Sequence, residues 1–292
     1  MVLGGGDLVL CAGTLHRDTG FRDRVEAAAA GGFSAISLWG RDYSGARAGG
    51  LSDGHIRSLL ADHGLSVAEL DPAWWWLPGA AEIGRSIRPE DDEQGVFAYG
   101  EDELFAVADA VGARSVNAVD VFGGEWTVDD AAGSFASLCD RAAEHGLLVH
   151  LEFLPWSKVP DLTTAWEIVR RADRPNGGIT VDSWHFFRGD NSLKDLRAIP
   201  GSRLLGIQLD DGPAEPEANL VEATLHARRL PGDGDFDLAG LMEVLREIGT
   251  EAPIGVEVFS DELHALPPSD AARRAGDATR RVLGYGSSRN GG

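Results

Sequence analysis

Four side chains that can bind a metal ion follow one another at intervals through the second half of the chain. They are Glu152, Asp182, Gln208 and Glu257, and each lies at the end of a short apolar run. The separations between them are 30, 26 and 49 residues. A carboxylate at the end of an apolar strand is costly to bury unless it is paired or bound to a cation. The set therefore predicts a divalent-metal site with these four residues as ligands.

Each acid taken alone has another interpretation, because it could cap a following helix or pair with a nearby arginine. The occurrence of all four on consecutive apolar runs favours the metal site. Gln208 would contribute a neutral amide oxygen, so the ligand set is all oxygen. Such a set suits Mn²⁺, Mg²⁺ or Ca²⁺ better than Zn²⁺.

The elements that must position these ligands follow a repeated pattern of a short apolar run and then an amphipathic stretch. The candidate strands are Leu8–Gly13, Ala35–Trp39, Ser66–Leu70, Ser115–Val119, Leu147–Phe153, Gly178–Asp182, Leu204–Leu209 and Ile254–Val258. The candidate helices are Phe21–Ala30, Asp53–His63, Glu101–Val111, Asp129–Glu144, Leu162–Ala172 and Asp237–Ile248, with a short helix within Ser192–Ala198. Asp161 and Asp235 are placed to cap two of these helices.

Strands that alternate with helices pair in parallel through right-handed crossovers. Eight such units predict the α/β class and a (β/α)₈ TIM barrel, with an open doubly wound sheet as the alternative. The first strand is not followed by a Gly-rich dinucleotide fingerprint, since Cys11-Ala12-Gly13-Thr14 does not match that motif. The carboxyl ends of barrel strands open onto one face, so strands five to eight would bring the four ligands together.

We expect residues 1–292 to form a single domain with a flexible tail at about 284–292. Cys11 and Cys139 are too few for a disulfide framework and are predicted to be small core residues. With 26 Lys and Arg against 47 Asp and Glu, the net charge is −21. A surface this acidic disfavours nucleic acid and anionic membranes as partners. Because the sequence shows neither a signal peptide nor a membrane span, we expect a cytoplasmic protein with a small-molecule substrate.

Over nearly its whole length, and most strongly from His150 to Ser260, the chain resembles the xylose-isomerase-like TIM barrel family of sugar phosphate isomerases and epimerases. This family includes ketose 3-epimerases, inosose dehydratase and dehydroshikimate dehydratases. The motifs that carry the resemblance are Asp182-Ser-Trp-His185 and Arg229-Leu-Pro-Gly-Asp-Gly234. The resemblance implies metal ligands at Glu152, Asp182 and Glu257, with a fourth at position 208, where Gln replaces the usual His. It also implies one bound divalent ion, with Mn²⁺ favoured and Mg²⁺ or Co²⁺ as alternatives.

The activity implied by the resemblance is an isomerase or epimerase acting on a sugar, keto-sugar or cyclitol. Glu152 and Glu257 would transfer the proton and the metal would stabilise the enediolate. One alternative on the same scaffold is a lyase, either a dehydratase or a C-glycoside-cleaving subunit. Another is a non-catalytic binding barrel in which Gln208 marks lost chemistry. A nuclease is disfavoured by the net charge and by the scarcity of histidine ligands.

Four further residues are predicted to contact substrate. His185 and Arg229 are identified from the two motifs, with Arg228 as the alternative inward arginine. Trp74 and Trp184 follow strands and offer stacking surface, which favours a substrate with an aromatic or ring moiety. His150 shares a strand face with Glu152 and is expected to support it from the barrel interior or to act as a base. The resemblance is compatible with a homo-oligomer or a partner subunit.

Overall fold

The computed structural model describes residues 3–88, 90, 92 and 95–284. The described residues form a closed barrel of eight parallel strands in sequence order. The strands are β1 (Leu8–Leu10), β2 (Ala35–Leu38), β3 (Ser66–Ala73), β4 (Ser115–Ala118), β5 (Leu148–Glu152), β6 (Gly177–Asp182), β7 (Leu204–Leu209) and β8 (Ile254–Val256). The barrel closes where β1 pairs with β8 as well as with β2. The predicted (β/α)₈ barrel is therefore confirmed, and the open sheet is excluded.

Helices lie between the strands around the outside of the barrel. They are α1 (Phe21–Ala30), α2 (Gly40–Ala48), α3 (Asp53–Asp62), α4 (Ala80–Ser86), α5 (Glu101–Val111), α6 (Val128–Glu144), α7 (Leu162–Ala172), α8 (Ser183–Arg188), α9 (Leu193–Arg197), α10 (Leu220–His226), α11 (Leu238–Glu247), α12 (Asp261–His264) and α13 (Pro268–Leu283). The predicted helices are all present. Those that the sequence analysis did not propose are α2, α4, α8, α10, α12 and α13.

Side-chain caps fix where two of the helices begin. Asp161 caps α7, because its carboxylate accepts a hydrogen bond from the backbone N–H of Thr164 at 2.7 Å. The predicted cap at Asp235 is wrong. Asp237 caps α11 instead by accepting from the N–H of Gly240 at 2.9 Å, whereas Asp235 accepts from the N–H of Ala214 in the preceding loop. The capping residue is the one directly adjacent to the first helical turn.

The hydrophobic core lies mainly between the barrel and the helices. On β5, Val149 and Leu151 are fully buried in that core, and the same alternation continues on the neighbouring strands. The inward-facing positions of β5 are instead His150 and Glu152, both buried and polar. Cys139 lies in the same apolar layer, and both cysteines are buried and free, as the sequence predicted. The outer layer supplies the apolar burial, and the barrel interior is left for polar chemistry.

The two ends of the described chain lie close together. Leu3 packs against Val9 at the start of the barrel. Helix α13 runs along α1, where Arg280 donates a hydrogen bond to the carbonyl oxygen of Gly31 at 3.0 Å. Of the predicted flexible tail, Gly284 ends α13 and residues 285–292 lie outside the described part of the chain. Across the described residues, no helix combines the length and apolar character needed to cross a membrane.

Candidate metal and active site

Six carboxyl groups gather inside the barrel and at the carboxyl ends of its strands. They belong to Glu69, Asp71, Glu152, Asp182, Asp210 and Glu257. Five of the six residues are at most 7% exposed, and Asp71 is half-buried. Carboxylates in a water-poor site repel one another and need compensating positive charge. The arrangement is therefore suited to binding a cation.

The tightest group of potential ligands is formed by Glu152, Asp182 and His185. One ligand atom from each lies within 4.8 Å of the others. His185 Nε2 is 3.5 Å from Glu152 Oε1 and 3.7 Å from Asp182 Oδ2. Glu152 and Asp182 were predicted as ligands, and the structure adds His185, which the sequence had assigned to substrate. The helix α8 begins directly after Asp182, which is why the histidine three residues later turns back over the same centre.

Gln208 and Glu257, the other two predicted ligands, are buried on β7 and just after β8, and their role as ligands stays a prediction. Gln208 is 1% exposed, and its amide nitrogen donates to Glu69 Oε1 at 3.3 Å. Glu257 Oε2 lies 3.5 Å from Nη1 of Arg228. Both residues face the interior of the barrel on neighbouring strands, as their positions in β7 and just after β8 predict.

Arg228, rather than Arg229, is the arginine that enters the site. Its Nη1 lies 2.8 Å from Asp182 Oδ2 and 2.7 Å from Asp210 Oδ2. Arg229 pairs through its backbone with Asp211, at 2.9 and 2.8 Å, and its side chain is exposed. This backbone bridge turns the two neighbouring side chains in opposite directions. The preference for Arg229 as the inward residue is therefore wrong, and its contact with substrate stays a prediction.

Burial and the neighbouring charges set the protonation of the centre. Burial raises the pKa of Glu152 well above its ordinary value, and Asp182 raises it further. Burial likewise raises the pKa of Glu257, which the Arg228 guanidinium partly offsets. Burial opposes ionisation of Asp182, but Arg228, His185 and the backbone N–H of Trp184 together outweigh it, and the pKa of Asp182 falls below its usual range. Asp182 is thus the fixed anion, and the two glutamates are the groups that can hold or release a proton.

The two histidines near the centre are neutral. Burial lowers the pKa of His185 to about 4, although Asp182 opposes the shift. Burial lowers the pKa of His150 to about 3. A neutral imidazole can donate one hydrogen bond and accept another, and it can ligate a cation through its free nitrogen.

His150 lies below Glu152 in the barrel interior, as strand alternation predicts. Its Nδ1 is 3.0 Å from Asn117 Oδ1 and 2.5 Å from Thr180 Oγ1, and its Nε2 is 2.9 Å from Ser115 Oγ. Asn117 in turn donates to Glu152 Oε2 at 2.6 Å. These contacts make His150 a support for Glu152 through Asn117. Its role as a base stays a prediction.

The two tryptophans proposed for substrate stacking are packed inside the protein. Trp74 is 2% exposed and donates from its indole N–H to the carbonyl oxygen of Val96 at 3.1 Å. Trp184 is fully buried and donates to Thr224 Oγ1 at 2.8 Å, while its ring lies 5.7 Å from the Arg228 guanidinium. Both rings stabilise loops that surround the centre, and their contact with substrate stays a prediction.

A cavity of about 460 Å³ opens at the carboxyl ends of β1, β2 and β8, and none of the six carboxyl groups lines it. Trp39 and Phe259 line it and stack with their ring centroids 6.2 Å apart. The other side of this aromatic pair faces the charged centre. Trp39 donates to Asp71 Oδ2 at 3.3 Å, and the Phe259 ring lies 5.0 Å from the Arg228 guanidinium. The cavity has room for one small ring compound.

Glu69, Asp71, Asn117 and Asp210 belong to the centre but were missed by the sequence analysis. The signal was present for Glu69, because Val67-Ala-Glu-Leu70 places an acid inside an apolar strand. The same reasoning that identified Glu152 applies to it. Asp210 stands two residues after Gln208 and therefore on the same face of the chain as it leaves β7. Asn117 carries no charge, so its residue type gave no comparable signal.

Two buried oxygen atoms without a hydrogen-bond partner test whether the residues fit a metal ion. Glu152 Oε1 and Gln208 Oε1 have no hydrogen-bond partner within the described part of the chain. A buried oxygen left in this way costs about 1–3 kcal/mol. A divalent cation would satisfy both atoms, and carboxylate and amide oxygens are ligands of hard cations. The residues therefore fit such an ion.

Comparison with known proteins identifies related sequences and folds. A profile of the xylose isomerase-like TIM barrel family matches residues 25–282. A 3-dehydroshikimate dehydratase of Pseudomonas aeruginosa is 30% identical over 250 residues, 84% of this chain and 37% of the relative. An inosose isomerase of Bacillus subtilis is 31% identical over 148 residues, 50% of this chain and 52% of the relative. The chain thus spans about half or less of these relatives.

Solved structures share the fold. The IolI protein, crystallised with a bound zinc atom, superimposes with a TM-score of 0.79 at 21% identity. The alignment covers 97% of this chain and 99% of that protein. This similarity supports the barrel architecture over nearly the whole length of the chain.

Proposed function

Because this chain belongs to the xylose isomerase-like TIM barrel family, we propose that it is a divalent-metal-dependent isomerase or epimerase of a sugar, keto-sugar or cyclitol. The observation that carries the proposal is the pair of buried glutamates, Glu152 and Glu257, beside a cation-binding centre. Glu152, Asp182, Gln208 and Glu257 would hold the ion, with His185 within reach. A bound divalent ion would polarise a carbonyl or a pair of hydroxyl oxygens, which makes the neighbouring C–H proton acidic.

Three side chains would carry out proton transfer and substrate binding. Asn117 holds Glu152 at Oε2, and we assign to the Glu152 carboxylate the removal of the proton from carbon. Glu257, whose Oε2 lies 3.5 Å from Arg228 Nη1, would return a proton to the opposite face of that carbon. His185 is neutral and can hydrogen-bond a substrate oxygen.

A lyase is the second candidate, and the extent of the matches favours it. The 3-dehydroshikimate dehydratases of two Pseudomonas species match 84% and 89% of this chain, whereas the inosose isomerases match about half. A dehydratase would begin with the same proton abstraction by a glutamate. The C–O bond of a neighbouring hydroxyl then breaks, a C=C bond forms, and the hydroxide leaves as water with a proton from the second glutamate.

Metal content tests the centre first. We expect wild-type protein purified without added metal, or soaked afterwards with Mn²⁺, to hold about one divalent ion per chain by elemental mass spectrometry. Glu257→Gln should lose most of it, because a charged ligand becomes neutral. Glu243→Gln, an exposed position on α11, should keep the wild-type content. A wild-type protein that takes up no ion even from Mn²⁺ solution contradicts the proposal.

Substrate screening then separates the two candidates. Metal-loaded protein is incubated in D₂O with ketoses, inosose and 3-dehydroshikimate, and each mixture is followed by proton NMR. Deuterium incorporation with a new stereoisomer or constitutional isomer supports the isomerase or epimerase, whereas loss of water with a new C=C signal supports the lyase. Glu152→Gln should slow either reaction at least about 100-fold, because the general base is removed.

A further inference from the structure

Glu69 lies across the barrel from Gln208, and the two side chains meet in the buried interior. The amide nitrogen of Gln208 donates to Glu69 Oε1 at 3.3 Å. Glu69 is 7% exposed and Gln208 is 1% exposed. The contact joins β3 to β7, two strands that do not pair in the barrel. It is therefore a side-chain link between opposite walls of the barrel.

The link decides which way the Gln208 amide points. The nitrogen and oxygen of a side-chain amide are nearly equal in shape, so hydrogen bonding must select the orientation. A carboxyl group offers an acceptor oxygen in either protonation state, and the amide N–H needs an acceptor. The reverse orientation would leave the Gln208 nitrogen beside the ligand oxygens in place of its own oxygen. With Glu69 accepting from the amide nitrogen, the amide oxygen is the atom left without a partner among the described residues.

Glu69 is itself held in place from below. Its Oε2 lies 3.4 Å from Nε2 of His150. His150 is fixed in turn by Ser115 and Thr180 at 2.9 and 2.5 Å. Gly206 leaves the space that the imidazole occupies, because a Cβ at that position would lie 3.3 Å from His150 Nδ1 and 2.9 Å from Thr180 Oγ1. The carboxyl group of Glu69 therefore has little freedom to leave Gln208.

The hydrogen bond to Glu69 occupies the nitrogen of the Gln208 amide and leaves its oxygen without a partner among the described residues. Gln208 Oε1 is buried and makes no hydrogen bond to any residue that the structure describes. Leaving an amide oxygen unsatisfied is costly unless a ligand completes it. We propose that Glu69 is a positioning residue that fixes the Gln208 amide with its oxygen toward the metal, so that glutamine serves as a neutral oxygen ligand. This inference rests on the proposed function, because it needs a metal at the centre.

A double-mutant cycle on Mn²⁺ affinity tests the proposal. The dissociation constant is measured by calorimetry and by the EPR signal of free Mn²⁺ for wild type, Glu69→Met, Gln208→Met and the double variant. Methionine fills similar space and offers only a weak sulfur acceptor. Glu69→Met should weaken binding roughly 10- to 100-fold, the usual loss when the partner of a metal ligand is removed. In the Gln208→Met background the same change should add little.

Glu69→Gln is the conservative control, since its amide oxygen can still accept from Gln208. We expect it to retain affinity within a few-fold of wild type. Far-ultraviolet circular dichroism and thermal unfolding of the metal-free variants check that each is folded. A Glu69→Met protein with wild-type affinity, or a loss that persists in the Gln208→Met background, overturns the role of Glu69 and leaves the metal centre standing. Failure of wild type to bind Mn²⁺ overturns the proposed function together with this inference.

Discussion

At the scale of single residues, Arg228 balances much of the charge in the centre. It contacts Asp182 and Asp210 and lies 3.5 Å from Glu257 Oε2, and it is itself 3% exposed. Burial opposes its charged form, but the three carboxylates raise the pKa of Arg228 above its ordinary value. Breaking a buried ion pair by removing one partner is expensive, because the other charge stays buried alone.

Arg228→Met should therefore destabilise the metal-free protein by about 3–5 kcal/mol. Added Mn²⁺ should recover part of this loss, because a divalent cation can replace the missing positive charge. Thermal unfolding with EDTA and with Mn²⁺ measures both effects. Arg229→Met is the matched control. The Arg229 side chain is exposed, so its replacement should change the stability little. Equal melting temperatures of the two variants would show that the charge of Arg228 does not stabilise the metal-free protein.

Cys139 gives a prediction that depends on pH. Burial raises the pKa of its thiol to about 12. The thiolate is the reactive form, so at about pH 8 only roughly one thiol in 10⁴ is ionised. In a Cys11→Ala variant, iodoacetamide should leave the folded protein almost unmodified over hours and should label it rapidly in concentrated urea. Mass spectrometry follows the adduct. Rapid labelling without urea would contradict the burial of Cys139.

Residue type and spacing predicted Glu152, Asp182, Gln208 and Glu257 as ligands, and the structure buries all four side chains. Glu152 and Asp182 lie in one group of potential ligands with His185, and the four-ligand set stays a prediction. Residue type and spacing were not enough to choose between Arg228 and Arg229. That choice depends on the backbone bridge between Asp211 and Arg229, a contact between segments that the sequence pattern does not reveal. Local pattern predicts which face of a strand a residue occupies, but not the orientation of residues in an irregular loop.

At the scale of elements, the caps test how firmly individual helices are fixed. Asp161→Ala removes the acceptor for the N–H of Thr164 and should lower the free energy of unfolding by about 1 kcal/mol. Asp161→Asn keeps a side-chain oxygen and should retain most of the stability. Urea denaturation measures both. If Asp161→Asn lost as much unfolding free energy as Asp161→Ala, the charge of Asp161, rather than its hydrogen bond, would stabilise the start of α7.

Gly206 tests the room that β7 leaves inside the barrel. Gly206→Ala would place a Cβ 2.9 Å from Thr180 Oγ1, so we expect a loss of about 1–3 kcal/mol from overpacking. Gly133→Ala is the control, because this glycine is exposed within α6 with open space around its Cβ position. There alanine should stabilise the helix by about 0.5–1 kcal/mol. Urea denaturation measures both, and two shifts of the same sign would contradict the proposed packing.

Periodicity predicted all eight strands and six of the seven described helices of ten or more residues, because both patterns are local. The residues at which the helices begin depend on individual capping hydrogen bonds. Asp235 and Asp237 are both acceptable caps by residue type, and only the position of the first turn distinguishes them. Helix α13 was missed although it contains buried alanines at helical spacing, since alanines and a glycine make a weak apolar signal against six charged residues in Pro268–Leu283.

At the scale of the whole molecule, the net charge of −21 acts on every surface residue at once. Like charges repel more strongly in the compact state than in the unfolded chain, and salt screens them. We expect the melting temperature to rise as NaCl increases from about 10 to about 200 mM. Choline chloride at equal ionic strength should act similarly, because screening does not depend on ion size. A falling melting temperature would mean that surface ion pairs outweigh the net repulsion.

The four ligands predicted from sequence all come from β5–β8, whereas the side chains that hold two of them come from the other half of the barrel. Glu69 on β3 contacts Gln208, and Asn117 on β4 contacts Glu152. A chimaera that grafted β5–β8 onto the first half of another barrel would carry every ligand and lose both of these partners. Recombination by half-barrels would therefore transfer the fold without the centre, unless Glu69 and Asn117 were transplanted with it.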